Sequence, residues 1–314
     1  MSTLQSKVVQ HSFLQSNSRF EVNVHPKQDR LYEVNINRTL LEQFFEEVAE
    51  IDVQKLNYVA FERFYAANVL TNLVGDEFRN QLIGILNDRQ TGGFTLSVDG
   101  ASTSKDDYIK FATAITHIVG TPVFDGMSGT YYATFAVEHK DTSDSYLRQG
   151  YKVMTLHADG AYEPDIIEWI LMMKMEERNA VGGNSRLLHI DDWEDLHKFS
   201  SHPLAFQKVK RQPAKSKNMS VPQFRPTFFW HNGHPCICFA EQNIKPESLE
   251  QGVYFKQISQ SLENSSSIIS LELPVGDLVM VNNLFWLHGR DAFVPQNDLY
   301  RELMRQRGYF HHKV

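Results

Sequence analysis

Apolar positions in the first third of the chain recur at helical spacing, and those in the remainder alternate or run together as they do in strands. After "RLYEVNI", which alternates like a short strand, Thr39-Leu40-Leu41-Glu42 has the form of a capping box. Leu40, Leu41, Phe44, Phe45 and Val48 then follow at helical intervals. A second helical stretch is expected from about Tyr58 to Asn87, carrying Phe61, Phe64, Leu70, Leu73, Val74, Phe78, Leu82 and Ile85. Gly92-Gly93 stops it, "FTLSV" reads as a strand, and residues 105–119 read as a third helix ended by Gly120.

From about Thr130 strand-like pieces follow one another: "YYATFAV", "YKVMTLH", "IIEWILMMKM", "SRLLHI", "PTFFW", "HPCICFA", "SIISLELPV", "DLVMVNN" and "ELMRQRGYF". Gly, Asn and Pro clusters separate them. Helical interruptions are expected at Asp192–Lys198 and Pro246–Asn264. The pattern predicts an α+β fold, a β barrel or sandwich flanked by helices, with the N-terminal third largely helical. No composition shift or linker splits the chain, so residues 1–314 are expected to form a single domain. Residues 1–18, rich in Ser, Gln and Asn, are expected to be disordered, and about 208–217 to be an exposed loop.

Composition narrows the function classes. The 314 residues are 42% hydrophobic and 22% charged, as in proteins with a true core. A net charge of −7 argues against a nucleic-acid partner. The polar N-terminus argues against a secretory signal, and no run reaches the ~18 apolar residues of a membrane span. The longest apolar stretch, Ile166 to Met175, is interrupted by Glu168 and Lys174. Cys236 and Cys238 would share one strand face, a poor geometry for a disulfide, so two reduced thiols in a cytoplasmic protein are expected.

His-x-Asp occurs three times. His139–Asp141 lies in the polar run "EHKDTSDS" and reads as a solvated turn. At His189–Asp191, Asp191 or Asp192 reads as an N-cap for a helix starting near Trp193. His157–Asp159 differs: a strand leads into it and Gly160 follows. Residues i and i+2 share a strand face, so both side chains can point into a barrel. His288 ends a late strand and can meet that pair across a rolled sheet. Two His and one carboxylate leave metal positions open, the arrangement of non-haem Fe(II) oxygenases.

A 2-oxoglutarate co-substrate would also need a permanent cation at its far carboxylate. Arg301, Arg305 and Arg307 lie at even spacing in "YRELMRQRGYF" and would share one strand face. A charge network with Asp291, Asp298 and Glu302 is the other account of that row.

"LHADG", "GGNS", "PVGDLVMVNNLFWLHGR" and "RELMRQRGYF" resemble the Fe(II)/2-oxoglutarate dioxygenases of the taurine-dioxygenase and clavaminate-synthase kind. With "MSGTYYATF", "SDSYLRQ", "LMMKM" and "GGNSRLLHIDDWE", the chain most resembles the CsiD family of glutarate 2-hydroxylases, from about residue 30 to residue 310. The resemblance implies a double-stranded β-helix (jelly roll) with helices outside it, and iron held by His157, Asp159 and His288. It implies a Ser185 hydroxyl on 2-oxoglutarate, with Arg301, Arg305 and Arg307 dividing co-substrate and substrate between them, the division left open. It implies glutarate + 2-oxoglutarate + O₂ → L-2-hydroxyglutarate + succinate + CO₂, within lysine and glutarate breakdown, and a homotetramer. Tyr131, Tyr132, Tyr146 and Arg148 are weaker candidates for lining the pocket. Two alternatives stand beside this reading: the same chemistry on another small carboxylate, and a non-catalytic cupin-like binding protein. A zinc hydrolase has no use for the arginine row.

Overall fold

Alternating burial along two central strands divides the molecule into an outer, helix-covered core and an inner, site-bearing one. The computed structural model describes residues 9–98, 100–125, 128–138, 150–212 and 221–311. The chain begins with β1 (Gln15–Ser16), β2 (Phe20–Val24) and β3 (Tyr32–Ile36). Helices α1 (Arg38–Glu47), α2 (Val53–Tyr58), α3 (Ala60–Val74) and α4 (Asp76–Asn87) follow, then β4 (Gly93–Ser97) and α5 (Lys105–Val119). Next come β5 (Gly120–Pro122), β6 (Ala133–Glu138), β7 (Met154–His157), β8 (Trp169–Arg178), β9 (Ser185–His189) and α6 (Leu196–Ser200). Short strands β10 (Val209–Arg211), β11 (Gln223–Arg225), β12 (Phe228–His231), β13 (His234–Ile237) and β14 (Ile244–Lys245) lead to α7 (Leu249–Glu263). The chain closes with β15 (Ile269–Leu271), β16 (Asp277–Asn282), β17 (Trp286–Arg290) and β18 (Tyr300–Phe310).

The larger sheet has the order β1-β2-β3-β4-β16-β8-β18-β5, with β6 also on β18; the smaller has the order β15-β9-β17-β7. Together they form the expected jelly roll, and the helices cover the outer face of the larger sheet. On β8, Trp169, Leu171, Met173 and Met175 pack toward the helices, while Ile170 and Met172 belong to the inner cluster with Leu187 and Trp286. On β16, Leu278 and Met280 face out and Val279 and Val281 face in. Both faces are apolar, which is why these strands read as unbroken hydrophobic runs.

Several sequence expectations are corrected. The stretch Tyr58–Asn87 is not one helix. It breaks at Gly75, whose φ of +90° ends α3 and starts α4 in a conformation that L side chains resist. Asn37, not Thr39, caps α1, accepting from the Thr39 amide at 2.9 Å, and Glu42 pairs with Arg38 instead. Neither Asp191 nor Asp192 is a cap. The His189 ring nitrogen Nδ1 accepts from the Asp191 amide, and both carboxylates take bidentate arginines, Arg89 and Arg30.

Residues 15–16, expected to be disordered, pair as β1 with β2, next to Phe13 packed on the core; residues 1–8 lie outside the described residues. Within the expected loop, Val209–Arg211 is a strand between β11 and β14. Arg211 is fully buried there, donating to the Thr227 hydroxyl, and residues 213–217 lie outside the described residues. Cys236 and Cys238 are both free and buried.

Candidate active site

Strand register assembles the site. His157 is the last residue of β7, and in the antiparallel pairing of β7 with β17 it lies directly opposite His288. Asp159 follows in the turn, where Gly160 adopts φ +74°. A Cβ on Gly160 would sit 2.3 Å from the Ile167 side chain, so the turn must be made without one. The imidazole Nε2 atoms of His157 and His288 lie 3.7 and 3.9 Å from Oδ1 of Asp159, and the ring centroids are 4.3 Å apart. The three donor atoms all lie within 4.8 Å of one another.

The surroundings prepare those donors. Nδ1 of His157 donates to the Thr155 carbonyl at 2.8 Å, which leaves Nε2 with its lone pair toward Asp159. Burial, with His157 beside it, pushes the His288 imidazole down to about 3, so it is neutral. Burial alone would raise the Asp159 carboxyl. The cationic Arg305 outweighs that effect, with His288, Arg307 and His157, and holds it ionised well below the usual carboxylate range. Asn283 fixes the backbone of the turn: its side-chain oxygen accepts from the Asp159 amide at 2.9 Å, and its amide donates to the carbonyls of Asp159 and Ile167. Two imidazoles and one ionised carboxylate, pre-oriented on one side, are a donor set for a divalent first-row metal with open positions. Oδ2 of Asp159 has no hydrogen-bond partner among the described residues, and Arg305 Nη1 approaches it at 2.9 Å as an ionic contact.

Two cavities meet at this triad. The first, about 130 Å³, is lined by His157 and His288, by the apolar Phe135, Val137, Met154, Met172 and Leu303, and by Ser185, Arg290, Arg301 and Arg305. The second, about 320 Å³, lies on the Asp159 side, with Tyr162, Glu241 and Asn243 on its wall; Arg305 lines both. The alternation expected of β18 holds: Arg301, Leu303 and Arg305 face the cavity, while Met304 packs on the helices and Gln306 bonds Thr113 and Thr116 of α5.

Of the other candidates, Ser185 is a buried residue on the first cavity wall. Arg307 lines neither cavity; it pairs with Glu163 at 2.5 Å and lies 3.9 Å from Asp125. Of the acids once weighed against the arginine row, Asp291 bonds Ser270 and lies 3.5 Å from Arg186, and Glu302 pairs with Lys105. Tyr131 lines neither of these two cavities; its ring lies 3.6 Å under the Arg63 guanidinium and edge-on to Phe124. Tyr132 instead receives a bond from Asn57. Tyr146, Arg148 and the His139–Asp141 pair lie outside the described residues. Sequence reasoning missed Asp125, which binds Arg305 Nη2 at 2.7 Å, and Asn283, which no spacing rule links to the triad; it also missed Arg290, although the i, i+2 strand spacing from His288 could have found it.

The CsiD family model matches residues 20–310. The chain belongs to the CsiD family. It is 42% identical over 302 residues to a glutarate 2-hydroxylase of Citrobacter koseri, a match covering 95% of this chain and 93% of that protein. Solved structures share the CsiD-family fold seen here. One is an asparagine oxygenase in complex with Fe(II), 2S,3S-3-hydroxyasparagine and succinate, with a TM-score of 0.69 and 16% identity over 88% of this chain and 93% of that one. Another is the non-heme iron oxygenase OrfP in complex with Fe and alpha-ketoglutaric acid, with a TM-score of 0.62 and 12% identity over the same shares. No helix among the described residues is long and apolar enough to cross a membrane.

Proposed function

We propose that this chain is an Fe(II)- and 2-oxoglutarate-dependent glutarate 2-hydroxylase, converting glutarate, 2-oxoglutarate and O₂ into L-2-hydroxyglutarate, succinate and CO₂. The observation that carries this reading is the register of His288 opposite His157, which brings both imidazoles together with Asp159 beside a cavity lined by guanidiniums. The identity of the Citrobacter koseri relative supports glutarate over other small carboxylates.

His157, Asp159 and His288 would hold the iron, which supplies the open positions for keto-acid chelation and dioxygen chemistry. The protein's own part is positioning and exclusion of water. Ser185 and Arg301, both on the wall of the first cavity, hold the distal carboxylate of 2-oxoglutarate. Arg305, on the wall common to both cavities, takes a carboxylate of the substrate. Arg307 reaches neither; with Glu163 and Asp125 it props the site from behind. Phe135, Val137, Met172 and Leu303 make the walls apolar, so a reactive centre between them is shielded from bulk water. No side chain needs to act as acid or base at the substrate carbon.

A cytoplasmic homo-oligomer, with four subunits as in the family, belongs to the same reading. Tyr58, Phe61, Phe64 and Tyr65 support it: they are 50–79% exposed on α2 and α3, and such clustered aromatics call for a partner surface.

The test is anaerobic Fe(II) titration with 2-oxoglutarate, followed by O₂ and a panel of C4 to C6 diacids. A weak visible iron–keto-acid band is expected, and succinate release fastest with glutarate. Equal release with every diacid would reassign the substrate, and absence of both band and release would reject the oxygenase.

A further inference from the structure

Two buried guanidiniums line the first cavity, and among the described residues only one ion-pairing carboxylate faces them. Arg301 is 2% exposed, and its acidic neighbour among the described residues is Glu177, 3.7 Å from Nε and itself held by Lys174 at 2.7 Å. Arg290, on β17 two residues beyond His288, is 8% exposed and donates Nη2 to the Lys152 carbonyl at 2.6 Å. Nε of each has no hydrogen-bond partner among the described residues. Asp291, next in sequence to Arg290, is engaged by Ser270 and Arg186. Two like charges in an apolar slot repel each other and forfeit hydration, an arrangement that persists only if an anion completes it.

One ring holds the pair in place. The guanidinium carbon of Arg290 lies 4.8 Å from the centroid of Phe293, and that of Arg301 lies 5.6 Å from the same centroid. Phe293 is in turn seated by the Gly182-Gly183 turn, whose Gly182 bridges it. A Cβ on Gly183, at φ +72°, would stand 2.0 Å from the Phe293 ring. The glycines that precede Ser185 therefore let the ring approach, and the ring gives both cations a π-face.

We propose that Arg290 is a second guanidinium for the distal carboxylate of the keto-acid co-substrate, paired with Arg301 across Phe293. This rests on the reading of the first cavity as the 2-oxoglutarate pocket and adds residues that the arginine row on β18 did not include. Succinate, the product, keeps that carboxylate and meets the same pair.

The test is calorimetric binding to the full-length protein loaded with Mn(II), using 2-oxoglutarate, succinate and pyruvate. Pyruvate offers the same keto-acid chelate without a distal carboxylate. Arg290→Met is expected to weaken 2-oxoglutarate and succinate by about 10- to 100-fold, and to leave pyruvate within about 2-fold. Arg290→Lys should fall between, and Phe293→Leu should weaken the two diacids several-fold; these two carry the comparison if the Met variant does not fold. Unchanged 2-oxoglutarate binding in the Arg290 variants, or equal loss of pyruvate and 2-oxoglutarate, overturns the paired clamp. Wild-type protein that binds no 2-oxoglutarate would instead overturn the function on which it rests.

Discussion

At the residue scale, the triad depends on side chains that never reach a ligand. Asn283 satisfies both backbone groups of Asp159 and the carbonyl of Ile167, so its loss frees the turn that aims the carboxylate. Asn283→Ala is expected to lower Mn(II) or Fe(II) affinity by about 10- to 100-fold in a direct titration; an unchanged dissociation constant would reduce Asn283 to a packing residue. His157→Ala removes one of three donors and should abolish succinate production. Arg305→Met tests the division of labour on β18. It should raise KM for glutarate by about 10-fold or more while changing 2-oxoglutarate binding far less, and the reverse pattern would exchange the roles of Arg301 and Arg305.

Elements, more than single side chains, decide which groups meet. The β7–β17 register puts His288 opposite His157, and a slip of one residue would send one imidazole to the other face. Gly160 makes the turn beyond that pairing possible. Gly160→Ala should destabilise the fold by about 1–3 kcal/mol, read from denaturant midpoints, through strain at φ +74° and collision with Ile167.

Helix α5 carries a titratable group on its buried face. Burial pushes His117 down to about 4, although the Thr113 carbonyl at 2.9 Å favours its proton; Arg63 and His311 oppose it. The unfolded chain binds that proton near 6.5 and the folded one near 4, so stability is intact above pH 6.5 and falls as pH drops toward 4. The loss should reach roughly 3 kcal/mol. His117→Gln should flatten that slope between pH 6.5 and 4 in chemical denaturation; an unaltered slope would assign it to other groups.

On the scale of the whole molecule, the helical N-terminal part and the jelly roll are bound together by shared strands and partly buried ion pairs. β3 runs parallel to β4, which pairs with β16 in the sheet that also holds β8 and β18. Arg30 and Arg89 cross to Asp192 and Asp191 with bidentate contacts of 2.6–2.9 Å. We therefore expect one cooperative unfolding transition by circular dichroism and calorimetry, as a single domain requires; two resolved transitions would divide the chain. Asp192→Asn, which leaves buried Arg30 without its carboxylate, should cost about 2 kcal/mol.

The residue pattern by itself determined a β barrel or sandwich flanked by helices, the strand that carries the arginines and the three metal-binding candidates, because strand-like hydrophobic patterning and residue chemistry are local properties; the jelly roll came from the family resemblance. Family-length similarity carried the rest of what it said about activity. Only the tertiary structure decided that His288 faces His157, that Arg301 lines one cavity and Arg305 both while Arg307 turns to Glu163, and that Tyr131 lies under Arg63. It also brought in Asp125, Asn283 and Arg290. Most of those outcomes depend on register and on close packing between residues distant in the chain, which leave no mark in local pattern.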